Sequence, residues 1–268
     1  MAVELPTTVL GRTGLTVTRL GIGGAYCPTA DGYRAALDCG VTYLDTARAY
    51  RDGDDERVIG EAIAGRRHQI VLATKSVRRR AKGARKDLET SLRLLGTDYV
   101  DIWQLHYLNT RWQREQALGP GGAMEVAIRA REQGLVRWIG VTGHNWAEVA
   151  QAVATGLFDT VLCWYNCAMK EPEEALFPQA VAQNTGVVIM NATRTDRLFS
   201  PDDVPPPEDF YRYVLRHPAV DVVLMGLRDV ERFRRVARAL AERAALEAGA
   251  QQRLEAYGAQ MRASGALG

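Results

Sequence analysis

The chain has 268 residues, 47% of them hydrophobic and 25% charged, with a formal net charge of +2 at pH 7. That is enough apolar material for a sizeable core and excludes a disordered chain. The near-balance of charge gives no ground for a nucleic-acid or membrane partner, and no apolar run approaches the roughly 18 residues of a membrane span.

Composition sets further bounds. Lys75, Lys82, Lys86 and Lys170 are the only lysines. The basic run Arg78-Arg79-Arg80-Ala81-Lys82 reads as a solvated loop ahead of a helix, too short and too poor in aromatics for a nucleic-acid site. Cys163 and Cys167 are four apart with no second cluster, so Cys27, Cys39, Cys163 and Cys167 read as reduced thiols and no metal site is expected. The first residues lack a charged-then-apolar leader, which makes the cytoplasm the expected location.

Along the chain, segments 7–10 and 15–18 flank Gly11-Arg12-Thr13-Gly14 and read as a hairpin that could plug the lower end of a barrel. Eight short apolar runs follow, at 19–23, 42–45, 70–74, 99–105, 138–141, 160–164, 187–190 and 222–225. Most are continuously apolar, as strands covered on both faces are. Amphipathic stretches lie between them at 54–64, 85–95, 123–133, 147–154, 173–183, 207–215 and 230–241. Several stop at a glycine before the next strand: Gly40, Gly96, Gly134, Gly156 and Gly186. Segments 107–122 and 192–206 resemble neither element and read as long loops. Beyond residue 242 an Ala/Glu/Arg-rich segment reads as a final surface helix.

Strand–helix alternation in tight loops implies parallel strands with crossover helices. Eight units favour a closed (β/α)8 TIM barrel, in a single domain over 1–268, against an open doubly wound sheet. That competitor's G-x-G-x-x-G fingerprint is missing; Gly21-Ile22-Gly23-Gly24 lacks the third glycine.

In a barrel, consecutive strand ends converge on one mouth. Asp45, Lys75 and His106 end the second, third and fourth apolar runs, and Tyr50 follows five residues after Asp45. The four side chains should therefore meet. Tyrosine ionises near pH 10, too high for efficient proton transfer near neutrality, and a nearby ammonium lowers that value. Lys75 can supply the charge, Asp45 can hold Lys75, and His106 can orient a substrate oxygen. The set can polarise a carbonyl, but a hydride has to come from a cofactor.

These residues carry a resemblance. Asp45-Thr46-Ala47-Arg48-Ala49-Tyr50, with Glu56 and Gly60, resembles the aldo-keto reductase signature D-T-A-x-x-Y followed by E-x-x-x-G. Ala73-Thr74-Lys75 and Gln104-Leu105-His106 match the next two signatures, and Gly11-Arg12-Thr13-Gly14-Leu15 and Tyr165-Asn166 also fit. The resemblance runs from about residue 8 to 240. It implies NADP(H) as cofactor, a small carbonyl or alcohol as substrate, Tyr50 as general acid/base, and Asp45, Lys75 and His106 in support. By the same resemblance the cofactor would touch Gly24, Asp45, Thr142, Gly143, Asn166, Asn191, Gly226, Arg228 and Arg232. The substrate would meet Tyr50, His106, Tyr107 and Trp112.

The sequence departs from the family at the cofactor positions. The fifth strand commonly ends Ser-Asn; here it ends Thr142-Gly143, followed by His144, like a branch with Gly-His there. The iron–sulfur tail of some members of that branch is missing. The branch's Met-Lys and glycine-rich loop are replaced by Met190-Asn191-Ala192-Thr193-Arg194-Thr195-Asp196. Met225-Gly226-Leu227-Arg228 resembles the segment that binds the adenosine phosphate, followed here by Arg232, Arg234 and Arg235. The altered pocket leaves two alternatives to a reductase: a non-redox enzyme using Tyr50 and His106 for proton transfer, elimination or cyclisation, and a barrel that senses nicotinamide. A monomer or small homo-oligomer is expected.

Overall fold

The computed structural model describes residues 3–199 and 204–267. The expected 192–206 loop therefore lies partly outside the described residues. Two strands, β1 (Thr7–Val9) and β2 (Thr16–Thr18), form an antiparallel hairpin. Eight parallel strands then close into a barrel: β3 (Leu20–Gly23), β4 (Tyr43–Asp45), β5 (Val71–Ser76), β6 (Val100–Leu105), β7 (Val136–Thr142), β8 (Thr160–Trp164), β9 (Gly186–Met190) and β10 (Val222–Gly226). Each pairs with its sequence neighbour, and β10 closes the ring on β3. The eight apolar runs fall on these strands to within two residues at either end.

The hairpin acts as the expected plug. Leu10, Leu15 and Val17 pack with Tyr43, Val71, Ala73, Ile102, Leu162, Val188, Val222 and Leu224, the inward residues of the strands. Arg12 pins it there, donating to Asp159 Oδ1 at 3.0 Å and to the carbonyls of Gly156 and Phe158, each at 2.8 Å. A second, larger core lies between the outer strand faces and the helices.

Helices α2 (Asp54–Ile63), α3 (Ala81–Leu95), α5 (Ala123–Glu132), α6 (Trp146–Val153), α9 (Pro207–Leu215) and α10 (Val230–Glu242) follow the amphipathic stretches. The remaining helices depart from the expectation. The α1 helix (Ala30–Leu37) lies in a stretch the pattern left unassigned; Thr29 caps it and only Tyr33, Ala36 and Leu37 are buried, so its apolar stripe is short. The α4 helix (Arg111–Leu118) lies inside the expected 107–122 loop. Its sequence is polar on nearly every side, with Ala117 alone buried, so it leaves no apolar period. The 173–183 stretch is two helices, α7 (Pro172–Ala175) and α8 (Phe177–Ala182), broken at Leu176 ahead of Pro178, which cannot donate to the preceding turn. The last helix, α11 (Ala250–Ala263), begins only at residue 250. No described helix is long and apolar enough to cross a membrane.

Gly40, Gly96, Gly134 and Gly156 adopt positive φ, as helix stops should. Gly186 does not, and its reason is space: a Cβ there would stand 2.7 Å from the Leu10 side chain. The left-handed turn before β9 is made by Asn184. Leu10 thus fills the barrel floor with no exposure. Leu10→Ala is expected to cost about 2–5 kcal/mol in urea unfolding; a loss below about 1 kcal/mol would show that the hairpin does not carry the lower core.

Candidate active site

Strand alternation builds the site. Side chains two apart share a face, so the inward series Tyr43, then Asp45, runs up β4. Val71, Ala73 and Lys75 run up β5, and Ile102, Gln104 and His106 run up and past β6. Each series is apolar below and polar at the top. The carboxylate, ammonium, amide and imidazole therefore meet at the C-terminal mouth.

Lys75 is 1% exposed. Its Nζ donates to Asp45 Oδ1 at 2.5 Å, to the Thr46 carbonyl at 2.7 Å and to Tyr50 Oη at 3.1 Å. Gln104 Nε2 donates to the second oxygen, Asp45 Oδ2, at 2.7 Å. Burial opposes charge on both ions. It pushes the Asp45 carboxyl up, against Lys75 and Gln104. Burial also opposes the Lys75 charge, yet Asp45 and Tyr50 outweigh it and hold the ammonium above its ordinary value. Tyr50 departs from the expectation: burial raises its phenol and outweighs the lowering by Lys75, so the resting phenol is neutral. The Tyr50 and His106 rings meet edge to face, with centroids 5.9 Å apart.

A second tier supports the first. Thr46 and Tyr33 hydroxyls donate to the fully buried Asp55 at 2.6 and 2.7 Å. The Thr74 hydroxyl donates to Glu56 Oε1 at 2.7 Å, and Arg48 pairs with the other oxygen. Gly24 gives Asp55 its space, since a Cβ would lie 2.4 Å from Asp55 Oδ2. Gly60, in the E-x-x-x-G pattern, lets α2 approach the end of α3; a Cβ would meet the Leu94 carbonyl oxygen at 2.6 Å.

From Tyr50 a cleft runs over the ends of β3, β9 and β10, past Gly24, Asn191 and Gly226 to Arg228 and Arg232. Arg228 lies over the Tyr26 ring, 4.3 Å from its centroid, and Arg232 pairs with Asp196 at 3.0 Å. Other expected cofactor residues are turned inward. Thr142 is wholly buried, its hydroxyl facing the Tyr107 N–H at 3.5 Å. Asn166 is wholly buried too: its amide donates to the Asn191 carbonyl at 2.9 Å and accepts from the Ala168 and Met169 N–H groups, each at 3.0 Å. Gly143 has no room for an asparagine side chain, because a Cβ would stand 2.5 Å from Val149.

The sequence profile of the Aldo/keto reductase family matches residues 28–196. This chain belongs to the aldo-keto reductase family. The aldo-keto reductase YhdN of Bacillus subtilis (strain 168) is 33% identical over 196 residues, 65% of this chain and 57% of that protein, so the match spans less than two thirds of the relative's length. The fold follows that of the aldo-keto reductase AKR11C1 from Bacillus halodurans in its holo form, with a TM-score of 0.82 at 23% identity over 95% of this chain and 96% of that one. An aldo-keto reductase from Klebsiella pneumoniae, solved in complex with NADPH, gives 0.79 at 23% identity over 96% of each chain.

This family member carries features that the sequence reading missed. Gln104 shares the inward parity of Ile102 and His106, which would have revealed its place beside Asp45. Gly140 makes room for it, since a Cβ would lie 2.7 Å from Gln104 Cγ. Aromatic rings also line the mouth: His106 stacks on Tyr107 at 3.8 Å, Tyr107 meets His144 edge-on at 4.9 Å, and His144 stacks on Trp164 at 4.1 Å. Trp112, the expected substrate wall, stands 65% exposed on α4. Among the described residues no cluster of three or more His, Cys, Asp or Glu is placed to hold a metal ion.

Burial, helped by Lys75, His144 and Arg79, pushes His106 down to about 2. An unfolded histidine titrates near 6.5, so between these values the unfolded chain binds the extra proton and stability falls as pH falls. From pH 6 to pH 4 the wild type should lose about 1.4 kcal/mol per pH unit more than His106→Asn in urea unfolding. Equal acid slopes would place the imidazole in water.

Proposed function

We propose that the protein is an NADP(H)-dependent oxidoreductase that reduces an aldehyde or ketone to an alcohol, or runs the reverse reaction. The observation that carries this reading is Tyr50 Oη, 3.1 Å from a buried ammonium and beside a neutral imidazole. The donor set fits the cofactor. Arg228 and Arg232 end the cleft with guanidinium groups suited to phosphate, and Trp164 Nε1 and His106 Nδ1 are buried at the mouth without a hydrogen-bond partner among the described residues. NADPH would supply the hydride.

The chain's own groups manage the proton. Neutral His106 donates a hydrogen bond to the substrate oxygen and holds it near Tyr50. Tyr50 Oη delivers its proton to that oxygen as charge develops there. Lys75 stabilises the resulting phenolate, and Asp45 with Gln104 keeps the ammonium in place.

Tyr50→Phe is expected to lower kcat by about 10²-fold or more while leaving NADPH quenching of Trp fluorescence intact; retained turnover would remove Tyr50 as the acid. Arg232 is already compensated by Asp196, so the cofactor's 2′-phosphate falls to Arg228. Arg228→Ala should weaken NADPH at least about tenfold more than NADH, and equal losses would exclude that contact.

The inward-turned Thr142 and Asn166 and the crowded Gly143 favour a second reading, a proton-transfer enzyme without nicotinamide. Titration of the folded protein with NADPH separates the two: micromolar binding supports the reductase, and no binding supports the second reading.

A further inference from the structure

We infer that Arg79 is a positioning residue for the reaction: it holds Tyr107 in a left-handed backbone turn, and the Tyr107 ring fixes the His106 imidazole at the mouth. The inference rests on the role given to His106 above and deepens it.

The imidazole needs an outside hold. A functional histidine is commonly oriented by a hydrogen bond to its second ring nitrogen. His106 is 2% exposed, and its Nδ1 is buried without a hydrogen-bond partner among the described residues. Two rings meet it instead. Tyr50 stands edge to face with centroids 5.9 Å apart, and Tyr107 stacks on it at 3.8 Å with the planes 13° apart. The close, nearly parallel contact with Tyr107 is the one that fixes the plane of the imidazole.

That stack is unusual between neighbours in sequence. Successive residues of an extended chain point to opposite faces, so Tyr107 would point away from His106. A φ of +59° at Tyr107 turns the chain and lays one ring on the other. Such a value is an outlier for a bulky side chain and persists only where contacts impose it. Thr142 supplies one set from β7: its carbonyl accepts from the Leu108 N–H at 2.8 Å, and its hydroxyl faces the Tyr107 N–H at 3.5 Å. Arg79 supplies the other from the loop after β5. Its guanidinium donates to the carbonyls of Tyr107 and Val77, each at 2.8 Å. The Tyr107 carbonyl also accepts from the Asn109 N–H at 3.0 Å, which closes the turn.

The loop that carries Arg79 is itself fixed. In the run Arg78-Arg79-Arg80 the outer two side chains are exposed and Arg79 is partly buried. Its backbone carbonyl accepts from the Ala123 N–H at 2.8 Å, and the Ala81 N–H donates to the Gly121 carbonyl at 2.9 Å. The Arg78 N–H donates to Ser76 Oγ at 3.1 Å. The guanidinium therefore reaches Tyr107 from an anchored base. It also adds, after burial, Lys75 and His144, to the influences that keep the imidazole neutral.

The test reads the imidazole directly. Arg79 lies outside both apolar cores, so its variants should fold. In protein carrying isotope-labelled histidine, the His106 ring signals are assigned by their loss in His106→Asn. Tyr107→Leu marks their position without the stacked ring. In Arg79→Met these signals should move more than half of the way toward their Tyr107→Leu position. Arg79→Lys, which keeps a donor, should stay nearer the wild type. Signals in Arg79→Met or in Tyr107→Leu that coincide with the wild type overturn the inference. This comparison needs neither cofactor nor turnover, so it decides the inference whether or not the reductase reading holds. With NADPH and butanal, kcat should fall at least about tenfold in Arg79→Met and recover in part in Arg79→Lys, with the NADPH Kd unchanged. An unchanged kcat in Arg79→Met overturns the inference. If the wild type leaves butanal unreduced, the ring signals decide it alone.

Discussion

The structure turns on one costly act, the burial of the Lys75 ammonium inside the top of a barrel. An isolated cation there would lose its proton or unfold the site. It keeps its charge because three oxygens surround it: Asp45 Oδ1, the Thr46 carbonyl and Tyr50 Oη. Each partner imposes a further demand. Asp45 has a second buried oxygen, which Gln104 satisfies, and Gln104 fits because residue 140 is glycine. Thr46 is tied through its hydroxyl to Asp55, and Asp55 fits because residue 24 is glycine. A motif spread across the sequence is thus a single packing problem solved around one charge.

The barrel separates this polar layer from the interactions that hold the fold. Below it, Leu10, Leu15 and Val17 from the hairpin meet inward aliphatic residues from five of the strands and Tyr43 from a sixth, and Arg12 fastens the plug to the strand-8 end of the floor. That cluster is aliphatic apart from the Tyr43 phenol, whose burial keeps it neutral. The ionic network above can therefore depend on precise geometry without carrying the whole stability of the domain, as expected of a barrel with chemistry at its C-terminal face.

What the sequence disclosed follows from range. Strands buried on both faces leave continuous apolar runs, so all eight were legible. Asp45, Lys75 and His106 were legible because strand ends converge by topology alone. The helices α1 and α4 were not, because one buries a short stripe and the other almost nothing. Gly186 carried the right residue type for a helix stop, but its cause was the approach of Leu10 from 176 residues away. The direction of the Tyr50 shift was also beyond the sequence. It depends on whether burial or Lys75 dominates, and depth of burial is a property of the closed mouth. The ring-lined rim was invisible for the same reason, since His144, Trp164 and Arg194 each look ordinary until three strands bring them into register.

The two halves of the mouth differ, and the difference constrains how molecules enter. Over β3, β9 and β10 the mouth opens into a cleft, with Gly24 and Gly226 at strand ends and guanidinium groups beyond them. Over β6, β7 and β8 it is lined by stacked rings, and Gly143 among them has no room for a side chain. On the ring side Arg194 lies over the Trp164 ring. The two sides meet at the Tyr50 phenol, whose hydroxyl is held 3.1 Å from the buried ammonium. The asymmetry arises from glycines at two strand ends and aromatic residues at three others, so a few positions on an ordinary barrel suffice to make the two sides of one mouth chemically different.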